Sequence, residues 1–200
     1  RDALAHIARE LPEDVPLHIH LSEQPAENAD CVAEYGLTPT ELLAEEGVLS
    51  RRLSVVHATH LTDNDIRLLG DAGVHAVFCP TTEADLGDGI GPAVELIAAG
   101  ARLAVGSDQN AVIDPLLELR GLEAGERLRS LRRGRIAPAS LWRIGSAGGY
   151  GRWLARFFRE RMQLEVLGHD PADATSCSPD EVLAKADALV FSVPIRRTPA

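Results

Sequence analysis

Residues 53–79 read LSVVHATHLTDNDIRLLGDAGVHAVFC. Residues 53–56 are a short apolar, β-branched run, the composition of a strand buried on both faces. Thr62 is placed to cap a helix whose apolar positions Ile66, Leu68 and Leu69 precede Gly73, a stop signal. Residues 75–79 are a second buried run, halted by Pro80. Strand, helix and strand follow one another with no hairpin signal. The two strands are therefore expected to lie parallel, with the helix as the crossover between them.

The alternation continues outward in both directions. Upstream, residues 16–19 form a short apolar run, and residues 26–35 and 39–46 have helical character ended by Gly36 and Gly47. Downstream, residues 92–99 read as a helix ending at Gly100 and residues 103–105 as a fourth strand. Asp114 and Pro115 then open a long helix to about residue 131, with Leu116, Leu119, Leu122 and Leu128 as its apolar positions. Four strand–helix units with right-handed crossovers place the helices outside a parallel sheet. Four units are about half of an eight-unit barrel. The expected class is α/β, a partial (β/α)8 TIM-type barrel holding the later strands. Four strands alone leave two open edges and the chain begins with Arg1 rather than Met, so a missing N-terminal half is expected.

Near residue 136 the character changes. A Pro-bearing stretch over 136–140 reads as a linker between a partial hydrolase barrel over 1–135 and a second segment over 141–200. In that segment the apolar run 141–144 reads as a strand. It leads into Gly145, Gly148 and Gly151, then a helical stretch over 152–160, a strand over 164–167 that reaches Asp170, and a last strand over 188–193. Glycines at a strand-to-helix turn let backbone N–H groups approach a pyrophosphate, and an acidic residue after the next strand can bind ribose hydroxyls. The expected reading is a partial Rossmann-like βαβ segment that contacts NAD through Gly145, Gly148, Gly151 and Asp170; a glycine-rich linker is the plainer alternative.

The formal net charge of −10 over 200 residues argues against general nucleic-acid binding. The one basic cluster, over 127–135, reads as a solvated helix end. No apolar run approaches the roughly 18 residues of a membrane span, so no membrane partner is expected. Cys31, Cys79 and Cys177 are few, odd in number and far apart. They suggest neither a disulfide framework nor a cysteine zinc site, and a reducing cytoplasm fits best. The expected partner is a small-molecule substrate.

Polar residues sit where the barrel strands end: His20 and Glu23 in HIHLSEQ, His57 in VVHATHL and Asp108 in VGSDQN. In a parallel barrel that end carries the active site. Histidine supplies a neutral imidazole to a metal, and a nearby glutamate can take a proton from metal-bound water and return it to a leaving amine. A carboxylate after a tight turn, such as Asp108, can approach both metal and water. His18 and His60 are read as structural. Thr82 and Glu83 lie in a polar, glycine-bearing segment expected to be a βα loop. There they either touch substrate or cap the next helix.

The segments HIHLSEQ, VVHATHL, CPTTEADLGDGIGP and VGSDQNAVIDPLLELRGLE, in that order, resemble the C-terminal half of a formimidoylglutamate deiminase, a metal-dependent amidohydrolase barrel. The resemblance covers about residues 1–135. It implies zinc or another divalent metal held by His20 and Asp108, with Asp108 also handling the water's proton. It further implies that Glu23 protonates departing ammonia, that His57 orients the water or polarises the substrate, and that the intact enzyme is a homodimer. The first-strand HxH pair of that family is absent here, so the chain alone is expected to be inactive. Residues 140–200, with GSAGGYGRWLARFF, VLGHDPAD and ADALVFSVPIRRTP, resemble the start of the NAD-binding domain of a prephenate dehydrogenase. An NAD-dependent dehydrogenase is therefore the alternative activity, and a non-catalytic chimeric remnant the second alternative.

Overall fold

The computed structural model describes residues 1–146, 188–191 and 193–197. The chain divides into two compact units, Arg1–Ile136 and Ala137–Ala200.

The first unit opens with helix α1 (Asp2–Glu10) and carries four parallel strands in chain order: β1 (Leu17–Leu21), β2 (Leu53–His57), β3 (His75–Phe78) and β4 (Arg102–Val105). Between β1 and β2 lie α2 (Pro25–Tyr35) and α3 (Pro39–Glu45). Helix α4 (Asp63–Ala72) follows β2, helices α5 (Pro80–Leu86) and α6 (Ala93–Ala99) follow β3, and α7 (Pro115–Ser130) follows β4. Each parallel pair is thus joined by helix, as the residue 53–79 pattern requires.

Local chemistry sets the helix ends. Thr38 and Thr62 each form a capping box, their hydroxyls accepting from Glu41 and Asp65 backbone N–H while those side chains return to the cap residue. The Asp114 carboxylate accepts from Leu116 N–H at 2.9 Å and starts α7 ahead of Pro115. Gly73, at φ 64°, closes α4 in a conformation that costs a side-chain-bearing residue energy.

The core is Leu21, Leu43, Leu53, Val55, Leu69, Val74, Ala76, Phe78 and Leu96, each at most 2% exposed. α4 packs on α6, and α5 on α7. Among the described residues no helix is long and apolar enough to cross a membrane.

Two expectations need correction. Residues 80–86 are not a loop: Pro80 ends β3 and at once occupies the first turn of α5. In the second unit, residues 141–144 are not a strand. They belong to helix α8 (Pro138–Ser146), which also contains Gly145 and the last residues of the expected linker. A four-residue run with three apolar positions suits either element. Pro138 in the first turn and the Leu141 N–H to Ala137 carbonyl bond at 3.0 Å select the helix. No strand therefore leads into the glycine cluster. Gly148, Gly151, Asp170, the helix expected over 152–160 and the strand expected over 164–167 lie outside the described residues. In place of one last strand, β5 (Ala188–Phe191) and β6 (Val193–Arg197) pair antiparallel.

Candidate active site

His20 lies near the end of β1 and His57 is the last residue of β2. Their rings stack, with centroids 5.4 Å apart and planes 23° apart. Strand alternation alone does not explain this. Leu53, Val55 and His57 alternate as the buried positions of β2, and Leu21, not His20, is the register partner of His57. The backbone of His57 is left-handed, φ 69°, as is that of Ala58, φ 50°, and this turn at the strand end carries the imidazole to His20. Ser22 after β1 (φ 50°) and Asp108 after β4 (φ 48°) share the conformation. Each such non-glycine residue costs about 1–2 kcal/mol, and strain of this kind collects at functional sites.

Glu83 reaches the same place from α5. Its carboxylate is buried, and Oε1 accepts the Cys79 backbone N–H at 2.7 Å and lies 3.3 Å from His57 Nδ1. An ionised carboxylate only accepts, so the shared proton belongs to Nδ1. His57 Nε2 then faces the site. It is buried, has no hydrogen-bond partner among the described residues, and lies 3.6 Å from Glu23 Oε1. Thr82, also buried, accepts from the Gln109 N–H and donates to the Ser107 carbonyl at 3.1 Å, which braces the turn that carries Asp108. Thr82 Oγ1 and Glu83 Oε1 are thus both engaged by neighbouring site elements.

Electrostatics follow from this packing. Burial is the largest influence on His57 and opposes its charged form. The Glu83 hydrogen bond and the Glu23, Glu83 and Asp108 charges together outweigh it, and the pKa stands above its ordinary value. Glu23 is also raised, first by burial and then by Asp88, against the pull of His57. The Cys79 thiol is pushed up to about 12 by burial and by the Glu83 and Asp108 charges.

His20, His57 and Asp108 present donor atoms that all lie within 4.8 Å of one another. Two imidazoles and a carboxylate suit zinc, and the unpartnered buried Nε2 of His57 is what such a set requires before a cation completes it. The residues fit a divalent metal. A second set, Glu23, His57 and Asp88, converges within the same 4.8 Å limit. Sequence reasoning did not single out Asp88; its one signal is the glycine on each side. His60 Nε2–H donates to the Asp88 carbonyl at 2.7 Å, and His18 is exposed on β1.

The amidohydrolase family matches this chain over residues 1–186. The chain belongs to the amidohydrolase family. This amidohydrolase is 42% identical over 124 residues to the formimidoylglutamate deiminase of Pseudomonas aeruginosa, covering 62% of this chain and 27% of the relative. A crystal structure of an amidohydrolase from Brucella melitensis superposes with TM-score 0.66 at 40% identity, covering 72% of this chain and 32% of that one. An adenosine deaminase from Xanthomonas campestris with bound zinc superposes with TM-score 0.62 at 32% identity, covering 66% and 31%. The chain thus spans about a quarter to a third of the length of the relatives it matches. Its parallel α/β sheet is the fold of these neighbours. The family match also runs through most of residues 141–200, and nothing in these comparisons supports a dehydrogenase, NAD or a Rossmann fold there.

Proposed function

We propose that the polypeptide carrying this chain hydrolyses an amidine: N-formimidoyl-L-glutamate and water give N-formyl-L-glutamate and ammonia. The convergence of His20, His57 and Asp108 beside Glu23 carries the reading, and the 42% identity to a formimidoylglutamate deiminase supports the choice of substrate. His20 and Asp108 would hold a zinc ion, with His57 Nε2 directed at the same point. When bound, such an ion supplies the Lewis acidity that makes water a nucleophile at neutral pH. Asp108 accepts the water's hydrogen bond. His57, its Nδ1 fixed by Glu83, keeps Nε2 directed at that point and orients the water there. Glu23, with its pKa raised, takes a proton and delivers it to the leaving nitrogen.

The test has two measurements on the full-length polypeptide. Zinc stoichiometry is expected to fall in Asp108→Asn and His20→Asn; unchanged zinc in both would sink the ligand assignment. Ammonia release from formimidoylglutamate is expected to fall by about 10²–10⁴ in Glu23→Gln. Release from an aminopurine but not from formimidoylglutamate would exclude this substrate and keep the deaminase chemistry.

A further inference from the structure

We propose that Asp88 recognises a compact cationic nitrogen group, an amidinium, presented between it, Glu23 and His57. This rests on the amidine-hydrolysing reading of the site and names the side chain that separates a charged amidine from a neutral amide of the same shape.

The position of Asp88 is closely fixed. It lies between Gly87 at φ 74° and Gly89 at φ 113°, backbone angles that side-chain-bearing residues rarely adopt. Its N–H donates to the Glu83 carbonyl at 2.9 Å, and its own carbonyl meets His60 Nε2 at 2.7 Å. Oδ1 accepts from the Gln24 side-chain amide. Oδ2 accepts no hydrogen bond among the described residues, although the residue is only 2% exposed, and the carboxyl beside it is that of Glu23, which burial and then Asp88 push up. A buried carboxylate oxygen left unpaired is costly, and every other polar atom of Asp88 is satisfied.

Asp88 belongs to a cluster rather than to a void. Asp88, Glu23 and His57 each offer an atom within 4.8 Å of the others, and His57 Nε2 is likewise buried and without a hydrogen bond, 3.6 Å from Glu23 Oε1. A second metal would compete for His57, which is also one of the three donors of the His20 and Asp108 set. A planar cation with several N–H groups does suit it. One hydrogen reaches Asp88 Oδ2 and another reaches Glu23, both as charge-assisted bonds. An amide of the same size brings no charge and leaves the Asp88 carboxylate uncompensated.

The test uses the full-length polypeptide with acetamidinium and its neutral isostere acetamide, titrated by calorimetry, beside thermal melting. Wild type is expected to bind acetamidinium about tenfold or more tighter than acetamide. Asp88→Asn is expected to erase that preference and to raise the melting temperature, since it removes an unpaired buried charge. A preference that survives Asp88→Asn overturns the inference. So does a lowered melting temperature, which would make Asp88 a structural partner. Ammonia release from formimidoylglutamate together with an unchanged cation preference in Asp88→Asn would sink the inference and leave the deiminase reading standing. A preference erased by Asp88→Asn, in a polypeptide that releases no ammonia from formimidoylglutamate, would support the inference and remove that substrate.

Discussion

Glu83 Oε1 lies 3.3 Å from His57 Nδ1 while it accepts the Cys79 N–H at 2.7 Å. One oxygen therefore ties the end of β3 to the imidazole at the end of β2. Glu83→Gln keeps an acceptor at this place and is expected to keep His57 in its Nδ1–H form. Glu83→Leu removes the acceptor and leaves the buried Cys79 N–H unpaired, at a cost of about 1–3 kcal/mol. The check is the ¹⁵N chemical shifts of the His57 ring together with thermal melting. An Nδ1–H ring in Glu83→Leu would show that Glu83 does not set the tautomer.

Stability in acid tests a different cluster. Arg135 Nη1 donates to Glu126 Oε1 at 2.7 Å, Arg129 Nη2 donates to Glu126 Oε2 at 3.0 Å, and both arginines also face Glu95. Burial pushes the Glu95 carboxyl up, but its own backbone N–H and the two arginines win, and it stands below the ordinary 4.5. A carboxyl depressed in the folded state contributes stability that is present above its unfolded value and lost as pH falls through the folded one. Wild type is expected to lose more urea resistance than Glu95→Gln between about pH 5 and pH 3. Equal losses in the two proteins would place the acid sensitivity elsewhere.

The strand order of the first unit was legible because two periods alternate in the sequence: short buried runs such as 53–56, and helical spacing such as Ile66 and Leu69 closed by Gly73. The residues His20, Glu23, His57 and Asp108 were legible for a related reason, since a parallel sheet gathers its strand ends on one side. How His57 reaches His20 was not legible. Alternation along β2 sends His57 the other way, and only its left-handed backbone reverses this. Glu83 was legible only as a loop residue touching substrate or capping a helix, and Asp88 was not singled out, because their contacts depend on burial by other elements: Pro80-Thr81-Thr82-Glu83 reads as polar loop until α5 packs on α7. The run 141–144 failed for want of length, since four residues, three of them apolar, carry no period that separates strand from helix.

Ser22 presents a stability gain held back at the site. It is fully buried, its hydroxyl has no partner among the described residues, and its φ is 50°. Ser22→Gly removes the unpaired hydroxyl and the left-handed strain, and keeps the N–H that donates to Glu27 at 2.8 Å. The larger entropy of glycine in the unfolded chain offsets part of this. A net gain of about 1 kcal/mol is expected in chemical denaturation. A loss of stability would show that the hydroxyl is bonded in solution.

Two glycine-to-alanine changes in helices separate propensity from packing. Each gains about 1 kcal/mol of helix propensity. At Gly70 in α4, an added Cβ would lie 2.3 Å from the Ala99 carbonyl oxygen and 2.5 Å from the Ala99 Cβ. Those atoms end α6 just before Gly100, so relief requires backbone movement between two packed helices. At Gly125 in α7, the nearest atom to the new Cβ is Ile90 Cγ2 at 3.2 Å, the end of a side chain that is 42% exposed and able to turn away. Gly70→Ala is therefore expected to destabilise by about 1–3 kcal/mol despite its propensity gain. Gly125→Ala is expected to be neutral or stabilising by up to about 1 kcal/mol. Urea unfolding of the pair decides the point: if Gly70→Ala is tolerated as well as Gly125→Ala, α4 and α6 do not approach as closely as Gly70 and Ala99 do here.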